Sequence, residues 1–317
     1  MDGAAAALAL ALVGIAVSAG RSQDLPERLP SLGSAELQDP LLSDAAPVAC
    51  YEGVMDADSD CCGCGGWCWQ MLPDGLIYPS YMAGVKESRI AAKWMREREH
   101  GWIWDVTLGG RVGIVRFGRR DGLRPDGWQL DMEGAVFPRL DIANSLDVEA
   151  ADYRYGVPLT YGRGAYQMKL AFYHLSSHLG DELMLRDPTV PRINFCRDAV
   201  VWGHSFYPTE NLRLYAEVGL ATRTDGGREP WEFQFGFEYS PAGPTGTRPV
   251  PFVAANAHLR QEVGFGGNVS VQTGWLWRGA TGHMARAGVH YGNGKSDQYE
   301  FYNQYESKVG LALWYDY

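Results

Sequence analysis

His174 and Ser176 stand two residues apart in the segment Tyr173-His174-Leu175-Ser176-Ser177-His178-Leu179-Gly180-Asp181-Glu182. On an extended strand, residues i and i+2 share a face. An imidazole beside a hydroxyl can take its proton and turn a weak nucleophile into an attacking one. That chemistry suits ester or acyl cleavage, with Ser176 as nucleophile and His174 as base. A third group must orient the ring, and Asp181, Glu182 and Asn194 are the candidates, with Glu182 placed in that role. The competing reading is simpler. Ser, His, Asp and Glu are ordinary at a strand-to-loop transition, and the pair could do no more than bond rim backbone or lipid headgroups. Asp181 and Glu182 with His178 could also hold a divalent cation such as calcium, and calcium is considered only alongside the hydrolase reading.

The elements that must carry these residues follow from period-two patterning. Trp231, Phe233, Phe235, Phe237 and Tyr239 alternate with Glu232, Gln234, Gly236 and Glu238. Leu212, Leu214, Ala216, Val218 and Leu220 alternate with Arg213, Tyr215, Glu217 and Gly219, and Val269, Val271, Thr273, Trp275 and Trp277 do the same with their neighbours. Each such run has one apolar and one polar face. Twelve runs are expected, near 88–96, 103–117, 127–137, 147–160, 165–176, 198–206, 211–222, 230–240, 251–261, 267–278, 283–292 and 307–317. Their length matches the roughly 9 to 11 residues that a tilted strand needs to cross a bilayer. An even number of antiparallel strands is the rule for single-chain bacterial barrels. The expected fold is therefore all-β: a transmembrane antiparallel up-and-down barrel of about 12 strands, preceded by a short irregular N-terminal periplasmic segment. A soluble sandwich or lipocalin-like barrel would show similar alternation. Against it stand polar faces rich in both charge signs and glycines such as Gly219, Gly236, Gly274 and Gly310, which suit a crowded lumen.

The inward face is expected to carry Arg111, Asp131, Glu133, Lys169, Arg213, Glu217, Glu232, Glu238, Arg260 and Arg286, with Arg89, Lys93, Asp105, His258, His290 and Lys308. Both signs at close quarters should pair, so a mostly filled interior with at most a narrow water path is expected. His258 and His290 read as hydrogen-bonded lumen residues, and no metal site is assigned. On the strand bearing the Ser/His pair, Met168, Leu170 and Phe172 face lipid while Gln167, Lys169 and Ala171 face inward. His174 and Ser176 continue the lipid-facing parity, near the outer rim.

Residues 4–17, AAAALALALVGIAV, form an apolar run too short for a helical span. Val17-Ser18-Ala19 supplies a small-x-small cleavage pattern, so residues 1–19 read as a cleaved signal peptide, although no Lys or Arg precedes the run. Residues 20–86 read as an irregular, cysteine-containing periplasmic lead-in or plug, and 87–317 as the barrel. Cys50, Cys61, Cys62, Cys64, Cys68 and Cys196 would lie in an oxidising compartment and are disulfide candidates in any of 15 pairings. Cys196 could meet the others only if their segment entered the lumen. The net charge of −10 excludes the basic signature of a nucleic-acid binder.

Two resemblances bear on function. The His-x-Ser pair looks like that of outer-membrane phospholipase and of one lipid A deacylase family, whose barrels place the pair outside, near the outer leaflet. The resemblance implies Ser176 as nucleophile and His174 as base, but Ser177 stands where those families have Asn. Separately, LPDGLIYPSYMAG (72–84), WDVTLGGRVGIVRFG (104–118), DGWQLDMEGAVFPRLD (126–141), YRYGVPLTYGRG (153–164), YHLSSHLGDE (173–182), EPWEFQFGFEYS (229–240), GWLWRGATG (274–282) and GLALWYDY (310–317) together resemble an uncharacterised family of bacterial outer-membrane β-barrel proteins, domain of unknown function 1207. That family implies location and fold and no activity. The expected role is a structural barrel or narrow, porin-like solute channel of the Gram-negative outer membrane, with an outer-leaflet lipid hydrolase as the alternative. The expected partners are outer-membrane lipid and lipopolysaccharide, and the barrel-assembly machinery through the C-terminal strand ending on Tyr317.

Overall fold

Period-two apolarity leaves each strand with a face that must avoid water, and every strand edge with N–H and C=O groups that must be paired. A closed antiparallel barrel satisfies both needs at once. A computed structural model describes residues 66–119, 123–225 and 229–317 of the chain. Twelve strands form the barrel: β2 (Ile90–Glu97), β3 (Gly101–Arg119), β4 (Asp126–Asp141), β5 (Asp147–Arg163), β6 (Tyr166–Leu179), β7 (Cys196–Thr209), β8 (Leu212–Thr224), β9 (Trp231–Tyr239), β10 (Val250–Arg260), β11 (Gly267–Arg278), β12 (Met284–Lys295) and β13 (Tyr305–Asp316). Each pairs antiparallel with its sequence neighbour, and β13 closes on β2 from Lys308 opposite Glu97 to Tyr315 opposite Ile90. The all-β barrel and its strand count follow the alternation in the sequence.

A thirteenth strand, β1 (Cys68–Met71), falls in a stretch expected to be irregular. Its cause is a length mismatch. β2 has 8 residues and β3 has 19, so β2 covers only Gly101–Thr107 of that edge. β1 pairs with the far stretch, Val115–Gly118.

The faces separate cleanly. On β9, Trp231, Phe233, Phe235, Phe237 and Tyr239 are exposed, while Glu232 and Glu238 are buried. The charged face therefore points inward and the apolar face outward, the reverse of a soluble barrel. This is the architecture typical of outer-membrane proteins. Aromatic side chains sit toward both ends of the outer face, including Trp128, Tyr239 and Tyr315 at one end and Trp102, Trp231 and Tyr305 at the other.

The two ends differ. The near end holds β1, the β7–β8 turn and Tyr317. The far end holds the longest connection between consecutive barrel strands, residues 180–195, with the short helix α1 (Asp181–Arg186). Two segments enter the barrel. The near insert, residues 73–89, runs inside, with Ile77, Tyr78 and Ala83 wholly buried. The far insert, residues 296–304, turns in from the β12–β13 connection with a 3-10 turn at Tyr299–Phe301.

Candidate functional site

The interior is built from charge pairs on alternate residues. Arg111 reaches Asp131 at 2.6 Å, Arg154 reaches Glu133 at 2.7 Å, Lys169 reaches Glu217 at 2.5 Å and Arg213 reaches Glu238 at 3.3 Å. Arg286 holds Asp316 at 2.8 Å, and Arg89 holds the same carboxylate at 2.9 Å. Glu232 accepts from Arg197 at 3.1 Å and from Tyr173 at 2.5 Å, and its carboxylate lies 3.1 Å from the His258 ring. Arg260 donates to Ser296 O and Tyr302 O of the far insert. His290 lies 3.2 Å from the Gln272 amide. A buried ion needs a partner to offset its lost hydration, and these pairings supply one.

The inserts are fastened by the same side chains. Tyr81 donates to Glu217 at 2.9 Å, the Met82 N–H donates to Glu238 at 2.6 Å, and Arg213 donates to Pro79 O. Burial and the Glu217 carboxylate hold the Tyr81 phenol well above its usual range, so it remains a donor. On the far insert, Asp297 pairs with Arg139 at 3.0 Å and with Lys308. Burial opposes its ionisation, but those two cations outweigh burial and keep the carboxyl well below the usual range. Glu300 accepts the Ile193 and Asn194 N–H groups, both at 2.8 Å, and ties the insert to the long far-end connection.

The inserts meet at Asp152 on β5. Lys86 of the near insert lies 2.5 Å from its carboxylate, the Tyr299 N–H of the far insert donates to it at 3.2 Å, and Ser177 donates a short hydrogen bond. Lys86 also sits over the Phe137 ring at 4.7 Å. Small residues on the wall make room. A Cβ at Gly203 would approach the Tyr78 and Tyr81 hydroxyls to 3.1 Å each. Two cavities between the near insert and the wall hold about 10 Å³ each, the limit for a single water. A larger cavity of about 490 Å³ opens at the near end.

Outside the barrel, His174 and Ser176 share the outward face of β6 near the far rim. Cross-strand pairing sets Tyr155 and Asp198 on either side of His174, and Tyr153 and Cys196 on either side of Ser176. The His174 Nδ1 lies 2.6 Å from Asp198 Oδ1, and the ring stacks on Tyr155 with centroids 5.0 Å apart. A carboxylate at Nδ1 fixes the tautomer and leaves Nε2 as the basic nitrogen. The carboxylate beside His174 is Asp198, while Glu182 lies exposed on α1. Asp181 is exposed beside it, and Asn194 is engaged in the far-end connection, where its amide oxygen accepts from Arg192. Sequence spacing missed Asp198 because it lies 24 residues away and arrives by strand pairing. One cue was legible: Cys196, Asp198, Val200 and Trp202 share a face, and a carboxylate on an apolar face is costly without a partner. Among the described residues no hydrogen bond joins His174 to Ser176, and no cluster of His, Cys, Asp and Glu is arranged to hold a metal ion.

Cys68, on β1, pairs with Gly118 at the near end, and Cys196 opens β7 at the far end, so no single disulfide joins them. Cys50, Cys61, Cys62 and Cys64 lie outside the described residues, as does the signal-peptide segment.

Solved barrels are similar in outline. Escherichia coli outer membrane phospholipase A matches with 12% identity and a TM-score of 0.46, covering 75% of this chain and 90% of that chain. The Salmonella typhi outer membrane phospholipase dimer with bound calcium matches with 12% identity and a TM-score of 0.46, covering 75% and 91%. The KdgM porin matches with 8% identity and a TM-score of 0.37, covering 72% and 99%. No curated protein matches the chain. Over residues 68–317, the chain belongs to the family described as "Protein of unknown function (DUF1207)".

Proposed function

We propose that the protein is a plugged barrel of the outer membrane that is closed to solutes at rest and serves as a structural envelope component. In this reading a leader cleaved after Ala19 exports the chain, the near end faces the periplasm, and β13 presents the assembly signal. A narrow solute path forms only when an insert moves. The observation that carries the reading is the junction at Asp152, where Lys86 from one end and Tyr299 from the other occupy the same interior. Planar-bilayer recording tests it. A flat baseline in the wild type supports a closed barrel, and steady open steps in most insertions would overturn it.

A second reading has its own observation. The 2.6 Å contact between His174 and Asp198 gives the outward Ser/His pair an orienting carboxylate. It supports hydrolysis of an outer-leaflet lipid ester: Ser176 attacks the acyl carbon as His174 takes the hydroxyl proton, the ester C–O bond breaks with that proton passing to the departing alcohol, and water then releases the fatty acid from Ser176. The substrate would approach from the lipid side, so this activity does not need an open lumen. A serine-reactive fluorophosphonate probe, with and without calcium, distinguishes it from the first reading.

A further inference from the structure

The cavity at the near end is unlike the rest of the interior. Many interior cations, among them Arg111, Arg139, Arg154 and Lys308, find carboxylates. Here Arg278 donates only to Pro241 O at 3.2 Å and to Ser240 Oγ at 3.1 Å. Arg124 donates to Glu210 O at 2.5 Å and lies over the Tyr207 ring at 3.5 Å. Among the described residues neither pairs with a carboxylate. Four acids line the same cavity: Glu238 is engaged by Arg213 and the Met82 N–H, Asp316 by Arg89 and Arg286, and Asp74 is exposed. The Glu210 carboxylate is exposed at the rim and forms no ion pair among the described residues.

Both arginines are partly buried, and a cation that has lost part of its hydration without gaining a counter-ion is held at a cost. An anion entering the cavity would remove that cost. The volume of about 490 Å³ lies within the range of small-molecule sites. The lining also carries the apolar side chains of Leu76, Met82, Pro244 and Met284. A free inorganic ion would leave these unused.

We infer that this cavity binds a small organic anion: a phosphate or carboxylate head held by Arg124 and Arg278, with an apolar body against Leu76, Met82 and Met284. Guanidinium groups suit such heads because they offer paired donors. The site opens at the end opposite His174 and Ser176, so it is independent of the surface reading. It also stands whether or not the barrel conducts.

Calorimetric titration of the detergent-solubilised full chain tests the assignment with three probes: phenyl phosphate, phenol and inorganic phosphate. The expected result is saturable binding of phenyl phosphate at least tenfold tighter than of either fragment. Arg278→Gln and Arg124→Gln should each weaken it tenfold or more, in protein whose heat-modifiable gel migration matches the wild type. Arg124→Gln is the safeguard, since Arg124 lies in a turn outside the strands and can be lost without disturbing the wall. No saturable binding of phenyl phosphate in the millimolar range would overturn the site. Equal binding by the folded Arg124→Gln variant would overturn the role of the arginines. Inorganic phosphate binding as tightly as phenyl phosphate would overturn the organic-anion assignment.

Discussion

Lys86 and Asp152 form an ion pair of 2.5 Å across the barrel interior, and Asp152 is wholly buried. The carboxylate belongs to the wall and the ammonium to the near insert, so the pair anchors chain that is otherwise irregular. Because Tyr299 also donates to Asp152, the same group registers both inserts.

Removing one partner leaves the other charge buried and unpaired. Lys86→Met should therefore destabilise the barrel by about 3–5 kcal/mol, the usual cost of breaking a buried pair. The double variant Lys86→Met/Asp152→Asn should recover part of that loss, since neither charge then remains. Denaturant midpoints of the refolded variants read both. A single variant as stable as the wild type would deny the pair its anchoring role.

Gly203 faces the hydroxyls of Tyr78 and Tyr81 across a space a side chain would fill. Gly203→Leu should displace the near insert and cost about 1–3 kcal/mol through overpacking. Limited proteolysis should then cut within residues 73–89, which the wild type protects. Unchanged protection would contradict the packing described.

The far insert should respond to acid with a defined sign. Asp297 faces Arg139 and Lys308, with Lys93 and Lys86 further off and the carboxylates of Asp105 and Glu306 nearby. Its folded pKa is depressed, so its contribution is fully present above the ordinary value of about 3.9 and fades as pH falls through the lower folded value. The stability gap between the wild type and Asp297→Asn should stay constant from pH 8 to 5 and narrow below about pH 4. Denaturant midpoints measured across that range check it. A gap that changes between pH 8 and 5 would place the dependence on another group.

At the outer surface, a fluorophosphonate probe should label Ser176 if the hydrolase reading holds. Labelling should vanish in Ser176→Ala and fall about 10²–10⁴-fold in His174→Ala, the usual range for loss of a general base. Asp198→Asn should slow it while Glu182→Gln leaves it unchanged. Equal labelling of Asp198→Asn and the wild type would remove Asp198 from the site.

Much of the fold was legible because membrane strands write their two faces into alternate residues. Trp231 to Tyr239 shows this without any tertiary information, as does Val309 to Tyr315. The inward charges were legible for the same reason: Arg213 and Glu238 fall on the polar parity of their strands. Their partners were not. Arg139 meets Asp297 because a loop turns back into the barrel, and no local pattern encodes that return. Tyr78 and Tyr81 have no periodic context and owe their positions to Gly203, Glu217 and Arg213 on distant strands. Asp198 shows the limit most plainly. Its parity marked it as unusual, but only the register of β6 against β7 places it at His174.

The central claim is that the two inserts close the lumen, and single-channel recording of the wild type beside Lys86→Met/Gly203→Leu tests it most directly. The account predicts a flat baseline for the wild type and discrete current steps for the variant, in which the near insert has lost its anchor and its packing space. Steady open conductance in the wild type, or no conductance in a correctly folded variant shown by proteolysis to have lost the insert, would contradict it.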